Sequence, residues 1–168
     1  MVYLGNMPEI VVIAHNIRST HNVGAIFRTA EGFGAQRIIL SGYTPYPKQP
    51  GDTRLPHIAE KLTSQIHKTA LGAEEIVPFE YQEEPDLSKL KTEGYRIVGL
   101  EQASTSVLLQ KYIAPRKIAL ILGEEVHGIP SELLSECEDI VEIPMVGKKE
   151  SFNVSVATGI ALYQLSLL

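Results

Sequence analysis

The sequence has a single cysteine, Cys137, so no internal disulfide can form, and it offers no Cys/His spacing for a zinc site. No apolar stretch approaches the roughly 20 residues needed to span a bilayer. Met1 to Glu9 lacks the basic segment of a signal peptide, and the apolar run Ile10–Ala14 is too short to complete one. These absences lead to the expectation of a cytoplasmic protein without a membrane association. Cofactor fingerprints are missing as well: there is no G-x-G-x-x-G, no G-x-x-x-x-G-K-[ST] and no G-x-S-x-G. The five histidines lack H-E-x-x-H spacing, and no metal is expected. Each is read as a surface or packed residue, with His21, beside Asn22, the one to watch.

What is present fits one domain over residues 1–168, long enough to bury a core without a disulfide or metal. The net charge of −5 argues against a generic polyanion binder. The charge is unevenly spread, however. Residues 1–70 hold seven basic and four acidic side chains, and residues 71–142 hold six basic and fifteen acidic ones. The two ends of the chain are therefore locally basic, which permits a nucleic-acid face without requiring one.

Short apolar runs recur at Ile10–Ala14, Arg37–Leu40, Glu75–Pro78, Tyr95–Leu100, Ile118–Leu122 and Ile140–Ile143. Several are continuous rather than alternating, as strands buried on both faces of a parallel sheet are. Helical patterns lie between them, over Asn22–Phe33, His57–Leu71, Asp86–Glu93, Pro130–Glu138 and Val154–Leu168. Alternation of strand and helix predicts an α/β domain with a parallel sheet flanked by helices on both faces. Ser41 to Pro56 carries four prolines and two glycines and is expected to be a long surface loop.

Three segments place polar residues beside glycines or prolines at strand ends and helix starts, where an open α/β sheet gathers ligand groups. In Asn22-Val-Gly24-Ala-Ile-Phe-Arg28, Asn22 is suited to cap a helix, and Gly24 admits a close backbone or ligand. Arg28 follows about 9 Å along the axis, and its guanidinium can reach back toward the helix start as a phosphate or ribose clamp. A capped surface helix with a solvated arginine fits the same residues. In Gly123-Glu124-Glu125-Val-His-Gly128, backbone groups are expected to meet a ligand, although a plain βα loop opening at Pro130 is the alternative. In Ile143-Pro144-Met145 with Ser151-Phe-Asn153-Val154, Ser151 or Asn153 caps the last helix. That helix carries no charge, so it must be buried in its own core or against a partner chain, and a dimer interface is the expectation.

In this order the three segments resemble the SpoU (TrmH-like) family of S-adenosylmethionine-dependent RNA methyltransferases, within the SPOUT class, from about Glu9 to Tyr163. Asn16 to Gly34 looks like the family's first motif. Leu122 to Gly128 looks like its second, with Glu124 where asparagine is commoner. Ile143-Pro144-Met145 with Glu150 to Ala157 looks like its third, with Phe152 where leucine is more usual. The resemblance implies a C-terminal deep trefoil knot, a homodimer through the C-terminal helix, and methyl transfer to a ribose 2′-hydroxyl of tRNA or rRNA. It places S-adenosylmethionine at Leu100, Glu101, Gly123, Ile143, Met145, Ser151 and Val154. Arg28 would activate the hydroxyl, as a general base or, since arginine normally keeps its proton, as an electrostatic anchor. Asn22, Glu125 and Asn153 would orient the arginine or the ribose.

Family members often carry an added RNA-binding domain or helical extensions, and this chain is expected to have neither. The catalytic dimer would then meet RNA itself, with Arg18, Lys48, Arg54, Lys148 and Lys149 around the pocket. The competing readings are a non-catalytic RNA-binding or assembly protein on the same fold, and a metal-dependent hydrolase using Glu124 and Glu125.

Overall fold

Five of the six apolar runs become parallel strands. The structure, a computed structural model, describes residues 7–166; the expected helical end at Leu167 and Leu168 lies outside the described residues. Seven strands pair throughout in parallel: β1 (Glu9–His15), β2 (Arg37–Ser41), β3 (Phe79–Gln82), β4 (Arg96–Leu100), β5 (Val107–Leu108), β6 (Lys117–Leu122) and β7 (Asp139–Glu142). Their order is β3-β2-β1-β6-β4-β7-β5. The two most apolar runs, β1 and β6, lie side by side, in register from Glu9 opposite Lys117 to Ala14 opposite Leu122. Both are buried along nearly their whole length, because helices cover the sheet on its two faces.

Alternate residues of each strand serve different faces. Ile10, Val12, Ala14, Ile118 and Leu120 pack with α1 (Thr20–Gly32), α2 (Pro56–Ala70), α3 (Ala73–Ile76) and α6 (Val154–Ser166). Val11, Ile13, Ala119 and Ile121 pack with Leu87 and Leu90 of α4 (Leu87–Thr92) and Leu133 and Leu134 of α5 (Ser131–Ser135). Gly24 lets α1 lie close against α2, since a methyl there would overlap the backbone of Ile66 and the hydroxyl of Thr69. No described helix is long and apolar enough to cross a membrane.

Several element boundaries differ from expectation. Glu75–Pro78 is not a strand: Gly72, in the left-handed region, starts the short α3, and the strand begins one residue after Pro78. Val77 is buried, which explains the misleading apolar run. β5 has only two residues, too few to form a periodic signal. α5 ends at Ser135 rather than Glu138, because Glu138 is drawn to the sheet; its backbone N–H donates to the Ile97 carbonyl and its carboxylate accepts from the Ile97 N–H. The segment between β2 and α2 is a loop, as its prolines predict, and Pro56 opens the helix.

From β1 the chain moves outward to β2 and β3; on the opposite side of β1 lie β6, β4 and β7. The direction of winding reverses at this point, so a crevice opens at the carboxyl ends of the central strands.

Candidate active site

The N-cap of α1 is Ser19, not Asn22. The Ser19 hydroxyl accepts from the Asn22 N–H at 3.2 Å, satisfying a helix-end donor and leaving the Asn22 side chain free. That amide instead reaches across the crevice. Its Nδ2 donates to Glu125 Oε1 at 2.7 Å, and its Oδ1 accepts from Asn153 Nδ2 at 3.1 Å. Asn153 is itself the cap of α6, with Oδ1 accepting from the Ser155 N–H at 2.9 Å and the Ser155 hydroxyl at 2.7 Å. Three residues separated by as many as 131 positions thus form one directed chain ending on a carboxylate. Each asparagine amide uses one N–H in this chain, which leaves its second for a ligand oxygen.

Arg28 is not drawn into the network. It is exposed on α1, and its guanidinium bonds to no other described residue. The arrangement leaves it a free cation on the same helix as Asn22, six residues beyond.

Beside the network lies a cavity of about 240 Å3 at the ends of β4, β6 and β7. Leu100, Glu101, Gly123, Ile143, Ser151 and Val154 line it, as the sequence reading expects. Met145 does not: the chain leaves the wall after Ile143 and returns to it at Ser151. Gln102, which sequence reasoning missed, also lines the cavity, and its Nε2 donates to the Glu150 carbonyl at 2.7 Å. Its position just past a strand end was the available signal.

Glycines set the shape of this wall. Glu124 and Gly128 exchange backbone hydrogen bonds of 3.2 and 3.0 Å, closing the turn between them. A methyl on Gly123 would overlap the backbone of Gly128 and Ile129; one on Gly128, where φ is +70°, would overlap the Glu101 carboxylate. Glu101 accepts from the backbone N–H groups of Gln102 and Ile129 at 2.9 and 3.0 Å, tying β4 to the turn. Four carboxylates, Glu101, Glu124, Glu125 and Glu142, share the cavity with apolar Leu100, Leu122, Ile143 and Val154. That lining suits a cation with an apolar body and opposes a phosphate.

The adjacent carboxylates have different partners. Glu124 accepts from the Tyr43 hydroxyl at 2.6 Å and pairs with the His127 ring; these contacts hold its carboxyl below the usual carboxylate range. Glu125 serves Asn22. This division does not support the metal-hydrolase reading, and the described residues contain no group of three or more His, Cys, Asp or Glu placed to hold a metal. The His21 side chain makes no hydrogen bond to another described residue; its carbonyl accepts from Thr69.

Of the basic residues expected to meet RNA, Arg18 is open to solvent and 3.8 Å from Glu124. Lys148 and Lys149 are exposed, and Lys48 is exposed beside Glu60 at 3.2 Å. Arg54 departs from expectation. Its guanidinium bonds Asp52 and the carbonyls of Tyr46 and Pro47, and lies 3.5 Å over the Tyr46 ring, so its donors hold the loop together.

The sequence profile described as the SpoU rRNA Methylase family matches residues 9–163. The chain is 33% identical over 162 residues to the 23S rRNA (guanosine-2′-O-)-methyltransferase RlmB of Coxiella burnetii, covering 94% of this chain and 58% of that protein. It thus spans less than two thirds of that curated relative. The structure of an AdoMet-bound rRNA methyltransferase from Sinorhizobium meliloti matches with a TM-score of 0.78 and 25% identity, over 95% of this chain and 56% of that one. A TrmH/SpoU tRNA modifying enzyme from A. aeolicus matches with a TM-score of 0.77 and 25% identity, over 96% of this chain and 75% of that one.

Proposed function

This chain belongs to the SpoU rRNA methylase family, and from that membership we propose that it transfers a methyl group from S-adenosylmethionine to a ribose 2′-hydroxyl of tRNA or rRNA. The observation that carries the proposal is the hydrogen-bonded chain Asn153–Asn22–Glu125, which joins all three motifs at the cavity rim. The residues fit the donor. Apolar side chains suit an adenosine, the carboxylates suit its positive sulfonium and amino groups, and Gly123 and Gly128 keep side chains out of the wall. Leu100, Glu101, Gly123, Ile143, Ser151 and Val154 would hold it. When bound, S-adenosylmethionine supplies an electrophilic methyl carbon.

The chain's own residues then have to position and charge-balance the sugar. Asn22 and Asn153 direct their remaining N–H groups at ribose oxygens, and Glu125 fixes the Asn22 amide. Alignment of reacting atoms can supply roughly 7–11 kcal/mol of a barrier. Arg28, unpaired among the described residues, anchors the adjoining phosphate and stabilises negative charge developing on the 2′-oxygen. Arg18, Lys48, Lys148 and Lys149 supply the surrounding positive charge.

Two features of family architecture belong to the same proposal. A deep trefoil knot formed by the C-terminal part is supported by the contact between the loops after β4 and β7, through Gln102 and Glu150, and by the return of α6 from the far strands to α1. A homodimer through α6 is supported by Val156, Ile160 and Tyr163, exposed at helical spacing on a helix without charge. On this reading the described residues 7–166 form one methyltransferase domain, and a tRNA or rRNA substrate places its action in the cytoplasm.

Substituting Arg28→Ala tests the assignment. Calorimetry should show S-adenosylmethionine binding within about twofold of wild type, while transfer of radiolabelled methyl to RNA falls by about a hundredfold or more. Undiminished transfer would refute the role of Arg28. A wild-type chain that binds RNA but no methyl donor would favour the non-catalytic alternative.

A further inference from the structure

A second groove, of about 640 Å3, opens beside the first between the start of α1, the loop after β2 and the flank of α2. Tyr43 stands at its edge with half its surface exposed, yet it is held at both ends. Its backbone N–H donates to Asn16 Oδ1 at 3.1 Å, and its hydroxyl donates to Glu124 Oε2 at 2.6 Å. Asn16 and Gly42, on either side of that bond, both have left-handed backbones, at φ +60° and +64°. A methyl on Gly42 would overlap the Asn16 amide, so the turn presenting Tyr43 needs glycine there.

The loop behind Tyr43 is equally fixed. Tyr81 donates to the Gly42 carbonyl at 2.8 Å and stacks on Tyr46 at 4.2 Å between centroids. Arg54 closes the other face of that stack. An exposed aromatic ring that is already immobile loses little entropy when a flat ligand packs on it. Arg18, with its side chain 70% exposed, places its guanidinium 5.7 Å from the Tyr43 ring centroid. A ring and a solvent-exposed guanidinium, paired only at 3.8 Å with Glu124, together match a nucleotide, with one taking the base and the other the phosphate.

Glu124, which holds Tyr43, is the chain neighbour of Glu125, which holds Asn22. The ring is therefore coupled to the network assigned above to the target ribose. Resting on that assignment, we propose that Tyr43 is a stacking platform for an unpaired base flanking the methylated nucleotide, with Arg18 on its phosphate. The site selects single-stranded or looped RNA, because a base held in a duplex has no free face to offer.

The test measures binding of a fluorescently labelled random-sequence single-stranded RNA to the wild-type chain and two variants, with S-adenosylmethionine affinity measured in parallel. Removing a base-stacking ring weakens binding between about fivefold and about a hundredfold. Tyr43→Leu should fall in that range, and Tyr43→Phe, which keeps the ring and loses the hydroxyl, should stay within about threefold of wild type. Ultraviolet cross-linking of the same RNA should attach a nucleotide to the peptide containing Tyr43. If wild type binds the RNA but Leu and Phe both match it, or both fall equally, the ring has no stacking role and the platform is overturned alone. If wild type binds the methyl donor but no RNA, the RNA methyltransferase reading falls and takes the platform with it.

Discussion

Gly123 has no side chain because the turn behind it leaves no room for one. A methyl there meets the backbone of Gly128 and Ile129, and backbone cannot swing aside as a side chain can. Gly123→Ala should therefore push the turn into the cavity, destabilising the fold by about 1–3 kcal/mol. It should also weaken S-adenosylmethionine binding by roughly tenfold or more, as read by calorimetry on the folded fraction. Wild-type affinity in that variant would show that the turn does not shape the donor site. Gly123 was legible in the sequence because a glycine directly after a buried strand has few other reasons to be there. Asn22 was legible only as polar and well placed. A neighbouring serine took the capping role, and no local pattern distinguishes two capable residues three positions apart. Arg54 shows the opposite limit: a cation in a basic segment suggests an RNA contact, and only the fold shows its donors committed to Asp52 and two carbonyls.

Among the elements, α6 has two tasks that its sequence separates by face. Thr158, Ala161, Leu162 and Leu165 are buried, while Val156, Ile160 and Tyr163 are open to water. A helix apolar on all sides calls for a second cover, and a second copy of the chain fits the proposed dimer. Ile160→Glu should convert the dimer to monomer in light scattering, because it sets two like charges near one another across a twofold interface. A variant that stays dimeric would move the interface elsewhere. The uncharged composition made α6 readable, and continuous apolar runs did the same for β1 and β6. Edge strands gave weaker signals: β3 is only half-buried along its length, and β5 is two residues long. The Glu75–Pro78 run misled because Val77 reaches the core from a turn, and burial alone does not identify a strand.

At the scale of the whole molecule, charge is sorted by task. Four carboxylates gather around the cavity proposed for a cationic donor, and the exposed cations Arg18, Arg28, Lys148 and Lys149 lie on the two segments that flank it. The net charge of −5 conceals this arrangement, since the acidic excess resides in the middle of the sequence. The order of the strands, and with it the convergence of residues 22, 125 and 153, is set by long-range packing that no local window contains. The most direct measurement is nucleoside mass spectrometry of RNA incubated with the purified chain and isotopically labelled S-adenosylmethionine. The account predicts label on the ribose, as 2′-O-methylnucleosides, in the wild-type reaction and not in the Arg28→Ala reaction. Label on a base, or label that survives the loss of Arg28, would contradict it.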